Sequence, residues 1–215
     1  MVKGLIFDLD GVIVDTAGYH YLAWKKLANE IGIDINEEFN QTLKGISRTE
    51  SLDKILNYGN KQNLFSAQEK SELSERKNNY YVKLLDNITP KDILPGVLEL
   101  IEQAYQYNIP CVIASASQNA PTILKKLNID SYFQAIVDPK SLAKGKPDPE
   151  IFLKAAQLIH VPVEFCVGFE DSIAGIQSLK KAGIYAIGII AEGLLPEADL
   201  EVNSLTEIDI HTLLQ

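Results

Sequence analysis

Residues 4–16 read Gly4-Leu5-Ile6-Phe7-Asp8-Leu9-Asp10-Gly11-Val12-Ile13-Val14-Asp15-Thr16, a short apolar run that ends in two acids and a glycine. An unbroken apolar run of this length has the pattern of a strand buried on both faces. Alternation along the extended chain puts Asp8 and Asp10 on one side, with Leu9 on the other. Two carboxylates so close cannot both stay ionised cheaply without a cation or a shared proton. Gly11 permits a tight reversal directly after them. Ligands of open α/β sheets bind outside the carboxyl ends of the strands, so the two acids stand where a site belongs.

Outward from this stretch, strand-like runs recur at Ile109–Ser115, Ala135–Val137, Phe165–Phe169 and Tyr185–Ile190. Helical patterns lie between them, at Gly96–Tyr107, Ala120–Asn128, Pro149–Ile159 and Ser172–Ala182. Such alternation predicts an α/β fold, a doubly wound, Rossmann-like parallel sheet covered on both faces. Gly183 suits the left-handed residue that ends a helix. The stretch 16–92 breaks the alternation and reads as helix alone: Thr16–Ile31, Glu37–Leu43, Arg48–Asn57 and Ala67–Asp86. Ser47-Arg48-Thr49-Glu50 and Ser66-Ala67-Gln68-Glu69 are capping boxes, in which Ser and Glu satisfy each other's free backbone donors. The expected organisation is therefore a core of residues 1–15 and 93–215, with an all-helical cap, 16–92, inserted after the first strand.

Charge follows the same division. The 215 residues carry a formal charge of −9. Residues 16–92 hold eleven cations and eleven acids, so the core segments carry all of the excess. A field of that sign argues against nucleic acid or an anionic membrane as partner. Asp8 interrupts the run that a signal peptide would need, and Cys111 and Cys166 lie in apolar runs that suit buried free thiols. A monomeric cytoplasmic protein is expected.

Three further motifs fall at strand ends or beside them: Ser115, Lys146-Pro147-Asp148-Pro149, and Gly168-Phe169-Glu170-Asp171-Ser172. With Asp8-Leu9-Asp10-Gly11 they resemble, in order, the four motifs of the haloacid dehalogenase-like phosphotransferase superfamily. Physically, Asp8, Asp10, Glu170 and Asp171 form an oxygen-rich set suited to a hard cation such as Mg²⁺. Lys146 and the Ser115 hydroxyl can stabilise charge on transferring phosphoryl oxygens. Asp8 is then the nucleophile that forms an aspartyl phosphate, and Asp10 the general acid and base.

Within the superfamily the cap is similar to that of the β-phosphoglucomutase family. The similarity lies in Asp15-Thr16 through His20 to Trp24, Leu43 to Arg48, Lys77-Asn78, and Ser115-Ala116-Ser117-Gln118-Asn119. It implies that His20 and Lys44 align the sugar with Asp10, and that Trp24, Gly45 and Ile46 line the sugar pocket. Arg48, Ser117 and Asn119 would hold the phosphate that is not reacting. Thr16, Lys77 and Ala116 complete the implied substrate contacts. His20 shares a stripe with Trp24, Leu27 and Ile31, which a histidine of the cap core would share equally. Gln118 departs from the family pattern, which often has Lys there, leaving Arg48 as the main cation at the distal phosphate.

The implied activity interconverts β-D-glucose 1-phosphate and D-glucose 6-phosphate through an aspartyl phosphate and a 1,6-bisphosphate. Water exclusion on cap closure would protect the aspartyl phosphate, with hinge strands near Val14–Thr16 and Thr89–Ile93. The alternative is a Mg²⁺-dependent sugar-phosphate phosphatase on the same scaffold, since the core motifs are common to both. A phosphoryl-accepting receiver module also places acids, Ser/Thr and Lys at strand ends, but it needs no helical insertion.

Overall fold

Gly4–Phe7, fully buried, forms β1 in the computed structural model, which describes residues 1–190 and 194–214. The expected core segment 93–215 thus includes four residues, 191–193 and 215, that lie outside the described ones. β1 pairs in parallel with β2 (Cys111–Ile113) on one side and β4 (Cys166–Glu170) on the other. With β3 (Phe133–Ile136), β5 (Tyr185–Ile189) and β6 (Leu200–Val202), the strand order is β3-β2-β1-β4-β5-β6, parallel throughout. This is the doubly wound order, and its switch point lies between β1 and β4.

Between β1 and β2 the chain forms α1 (Ala17–Glu30), α2 (Glu37–Gln41), α3 (Arg48–Tyr58), α4 (Ala67–Leu85) and α5 (Val97–Gln106). Then come α6 (Ala120–Leu127), α7 (Glu150–Leu158), α8 (Ile173–Ala182) and α9 (Ile210–Leu213). Alternation along β1 builds both layers of the core. Leu5 and Phe7 join α5, α6 and α9 on one face, while Ile6 joins α7 and α8 on the other. Gly183 does close α8 in the left-handed region, at φ 76°.

The helices α1–α4 have an apolar cluster of their own, including Trp24, Leu27, Ile35, Leu52, Ile55 and Leu56. Both capping boxes form, at Ser47/Glu50 and Ser66/Glu69. The two chain segments that join these helices to the sheet run side by side: Val14 bridges Ile93, and Leu94 N donates to Ile13 O at 2.9 Å. The sheet extends one strand beyond the sequence reading. β6 has only three residues, one face half-exposed at the sheet edge, too short to show a period.

Candidate active site

The register sets the site. Phe7 lies level with Ile113 of β2 and Phe169 of β4, so Asp8, Ala114–Ser115 and Glu170 emerge at one sheet edge beside the switch point. Asp8 N donates to Phe169 O at 3.0 Å, and Ala114 N donates to Phe7 O at 2.8 Å, extending the ladder to the acid itself. A cavity of about 440 Å³ opens over this edge and under the helices α1–α4. Asp8, Asp10, Ser115 and Asp171 line it from the sheet.

Lys146 lies beneath this surface, fully buried, with its Nζ 2.6 Å from Asp8 Oδ1 and in contact with Glu170 Oε1. Burial alone would favour the neutral amine, but Asp8 and Glu170 outweigh it and raise its pKa. Glu170 is occupied at both oxygens, since Oε2 accepts from Ser172 N at 3.0 Å and from Ser172 Oγ at 2.9 Å. Asp8 Oδ2 accepts from Asp10 N at 3.1 Å. Burial, and then Glu170 and Asp10, push the Asp8 carboxyl up to about 7 against the pull of Lys146. Asp171 is pushed well up by burial, by Glu170 and by Asp8. Gly11, at φ 79°, packs against this carboxylate, and any Cβ there would overlap Asp171 Oδ2.

Raised carboxyl pKa values in a buried acid cluster mark a place that a cation would relieve. Among the described residues, no group of three or more His, Cys, Asp or Glu side chains is arranged to hold a metal ion. Of the four acids expected to hold the cation, Asp8 and Asp171 are left for it at the sheet edge, because Glu170 is engaged by Lys146 and Ser172 and Asp10 by Thr16 and His20. Two carboxylates, with water and phosphate oxygens completing the shell, is the donor set that Mg²⁺ takes in phosphoryl-transfer sites. The residues fit such an ion.

Asp10 turns toward the helices. Its Oδ1 accepts from the Thr16 hydroxyl, and its Oδ2 lies 3.6 Å from His20 Nε2. Burial opposes its ionisation, but His20, the Thr16 hydroxyl and the Lys77 charge outweigh it and hold its pKa low. His20 Nδ1 lies 2.8 Å from Lys77 Nζ. The amine is the donor there, so Nδ1 accepts and the ring proton sits on Nε2, toward Asp10. Burial, and then the Lys77 charge, lower the His20 pKa and keep the ring neutral. Lys77 is itself buried, its Nζ 4.7 Å from the Trp24 ring centre and 4.9 Å from that of Tyr81. Burial and Arg48 push its pKa down to about 7.

The remaining sequence candidates divide by position. Trp24, Lys44, Gly45, Ile46 and Arg48 line the cavity from the helices, and Ala116, Ser117 and Asn119 from the sheet. Thr16, expected to touch substrate, is fully buried under Asp10 and its hydroxyl is spent there. Gly45, at φ 73°, seats its loop on the start of α8, where a Cβ would overlap Ser172 Oγ. Backbone donors join the sheet-side loop: Ser117 N to Ser115 Oγ at 3.1 Å, and Asn119 N to Ser117 Oγ at 3.3 Å.

Of two further residues of α4, Asn78 stands in the sequence reading only as part of the resemblance, with no role, and Tyr81 is not singled out there. Asn78 Oδ1 accepts from Asn119 Nδ2 at 2.9 Å, linking the helical segment to the sheet loop across the cavity. Tyr81, fully buried, donates its hydroxyl proton to Thr16 Oγ1 at 3.2 Å. The available signal was helical spacing, since Tyr81 stands four residues beyond Lys77 on the same face.

Comparison with known proteins agrees with this geometry. The family model for haloacid dehalogenase-like hydrolases matches residues 2–183. Over 212 residues the chain is 47% identical to a β-phosphoglucomutase of Bacillus subtilis, covering 99% of this chain and 94% of that protein. A crystal structure of β-phosphoglucomutase from Clostridium difficile superposes with a TM-score of 0.96 at 46% identity, covering 100% of this chain and 96% of that one. A phosphorylated carbohydrates phosphatase of Thermotoga maritima is 28% identical over 86% of this chain and 84% of its own.

Proposed function

The chain belongs to the haloacid dehalogenase-like hydrolase family, and from that premise we infer an enzyme that interconverts β-D-glucose 1-phosphate and D-glucose 6-phosphate. The observation that carries this reading is the pairing of two polar ends in one cavity. At the sheet edge stand Asp8, Ser115 and Asp171, and Arg48, Ser117 and Asn119 line the same cavity. A mutase needs both ends, because its bisphosphate intermediate presents two phosphates at once. A phosphatase needs only the first.

Asp8 carries the phosphoryl group. A sugar hydroxyl attacks the phosphorus of phospho-Asp8, the bond to the Asp8 oxygen breaks, and the hydroxyl proton passes to Asp10. The 1,6-bisphosphate turns end for end. Asp8 then attacks the other phosphate, and Asp10 returns the proton to the departing sugar oxygen. Lys146 holds the Asp8 carboxylate in place from below and balances the charge it regains when the phosphoryl group leaves. The Ser115 Oγ accepts from Ser117 N, which leaves the Ser115 hydroxyl proton as a donor for a phosphoryl oxygen. Bound Mg²⁺, held by Asp8 and Asp171, would offset the charge of these carboxylates and of the phosphoryl oxygens.

On this reading residues 1–15 and 93–215 are the core domain and 16–92 the cap, which excludes water when the Gly45 loop seats on α8. Trp24, Lys44, Gly45 and Ile46 contact the sugar, and Arg48 supplies the main charge at the distal phosphate. The enzyme is a cytoplasmic monomer acting on a small sugar phosphate. Among the described residues no helix is long and apolar enough to cross a membrane.

The test is to supply β-D-glucose 1-phosphate, Mg²⁺ and a trace of the 1,6-bisphosphate, and to follow glucose 6-phosphate and inorganic phosphate together. Glucose 6-phosphate in large excess is expected. Stoichiometric inorganic phosphate without it would establish the phosphatase instead.

A further inference from the structure

Tyr81 is fully buried on α4, and its surroundings are those of Asp10 itself. Its hydroxyl lies on Thr16 Oγ1 at 3.2 Å, and its ring lies 4.0 Å from that of His20, tilted by 32°. The same ring lies 4.9 Å from Lys77 Nζ. Thr16 and His20 are one turn apart at the start of α1, with His20 N donating to Thr16 O at 3.0 Å. Lys77 and Tyr81 are one turn apart on α4. The two helices thus present matched pairs to a single carboxylate.

Proton counting gives the direction of each contact. A Thr hydroxyl has one proton and two lone pairs. An ionised Asp10 can only accept, so the Thr16 proton goes to Oδ1. Tyr81 must then donate to a Thr16 lone pair, which satisfies an otherwise orphaned buried hydroxyl and fixes the Thr16 rotamer. On the other side, Lys77 donates to His20 Nδ1 and leaves the Nε2 proton toward Oδ2, where 3.6 Å separates the heavy atoms. Among the described residues, His20 Nε2 is buried and has no hydrogen-bond partner. Each oxygen of Asp10 therefore has its own two-residue support, and only the one through Tyr81 is closed.

We propose that Tyr81 is a positioning residue for the phosphoryl-transfer step, acting through Thr16 to keep Asp10 Oδ1 a fixed acceptor and reserve Oδ2 for the proton. This rests on the mutase reading above. As the sugar oxygen forms its bond to phosphorus and the bond from Asp8 breaks, the hydroxyl proton moves to Asp10 Oδ2. The neutral acid keeps Oδ1 on Thr16 while the bisphosphate turns. In the second transfer the same Oδ2 returns that proton to the departing oxygen. Without the Tyr81 hydroxyl, Thr16 can rotate, both carboxylate oxygens compete for the proton, and part of the population faces the sugar with the wrong one.

Tyr81→Phe removes the hydroxyl and retains the ring against His20. The expected result is a fall in kcat of about five-fold, the worth of one ordinary hydrogen bond, with KM changed less than two-fold. A double-mutant cycle with Thr16→Val and Thr16→Ser separates positioning from packing. Tyr81→Phe should cost nothing further beside Thr16→Val, and should cost about five-fold again beside Thr16→Ser, which keeps a hydroxyl. Thermal melting of each variant confirms that folded protein is being compared. The proposal is overturned if Tyr81→Phe leaves kcat unchanged, or if its loss is the same beside Thr16→Val. If the wild-type protein releases inorganic phosphate and no glucose 6-phosphate, the mutase reading falls by itself. The cycle is then read on hydrolysis with the same expectations, because the departing sugar oxygen still needs the Asp10 proton.

Discussion

Lys146 shows how one side chain joins stability to chemistry. Its ammonium is buried between Asp8 and Glu170, two carboxylates with almost no exposure of their own. Removing one member of such a set leaves the others buried and unpaired, which costs several times more than the net value of the intact set. Lys146→Met keeps the length of the side chain and its contact with Phe152, whose ring centre lies 4.9 Å from Nζ. It should lower unfolding stability by about 3–5 kcal/mol in urea titration and abolish sugar-phosphate turnover. Unchanged stability would mean that Asp8 and Glu170 do not depend on this cation. Lys146 could be singled out from sequence because its motif falls between Ser115 and the Glu170-Asp171 pair, in the order of the resemblance. The support beneath Asp10 could not. Thr16 is expected from sequence only as a substrate contact and Tyr81 not at all, because the two are separated by 65 residues and meet only once α1 packs on α4.

At the scale of elements, the sheet edge and the helical insertion meet through a few close contacts. The Gly45 loop rests on the N-terminal end of α8 with no room for a side chain, and its φ of 73° lies in the left-handed region. Gly45→Ala adds both strain and overlap, together on the order of 1–2 kcal/mol against the seated loop. That corresponds to roughly ten-fold less closed population. The expected readout is a rise of roughly that size in inorganic phosphate formed per glucose 6-phosphate, with kcat for the mutase direction reduced. An unchanged product ratio would show that seating of this loop does not exclude water. The capping boxes at Ser47 and Ser66 and the strands β1, β2, β4 and β5 were legible because each depends on neighbours in sequence. β6 was not, since an edge strand of three residues is defined by its pairing with β5 alone. The contact made by Asn78, to which the sequence reading gives no role, was not legible for a similar reason. Its partner Asn119 lies 41 residues away in the sheet-side loop.

For the molecule as a whole, the charge of −9 and a phosphorylated substrate are reconciled by where the charges lie. The helical segment is neutral overall and brings Lys44, Arg48 and Lys77 to the cavity, while the sheet brings the acids and Lys146 beneath them. Local sign at such a site depends on these cations and on any bound metal rather than on the total. The cavity, about 440 Å³, lies within the range of small-molecule sites and is enclosed from both sides. The central claim is that the phosphoryl group on Asp8 is passed to a sugar rather than to water. Its most direct measurement is a chase: label Asp8 from radiolabelled β-D-glucose 1,6-bisphosphate, remove free sugar rapidly, add unlabelled β-D-glucose 1-phosphate, and quench in acid. Label recovered in the 1,6-bisphosphate and in glucose 6-phosphate is the expected result. Label recovered as inorganic phosphate, at a rate the added sugar phosphate does not change, would contradict it.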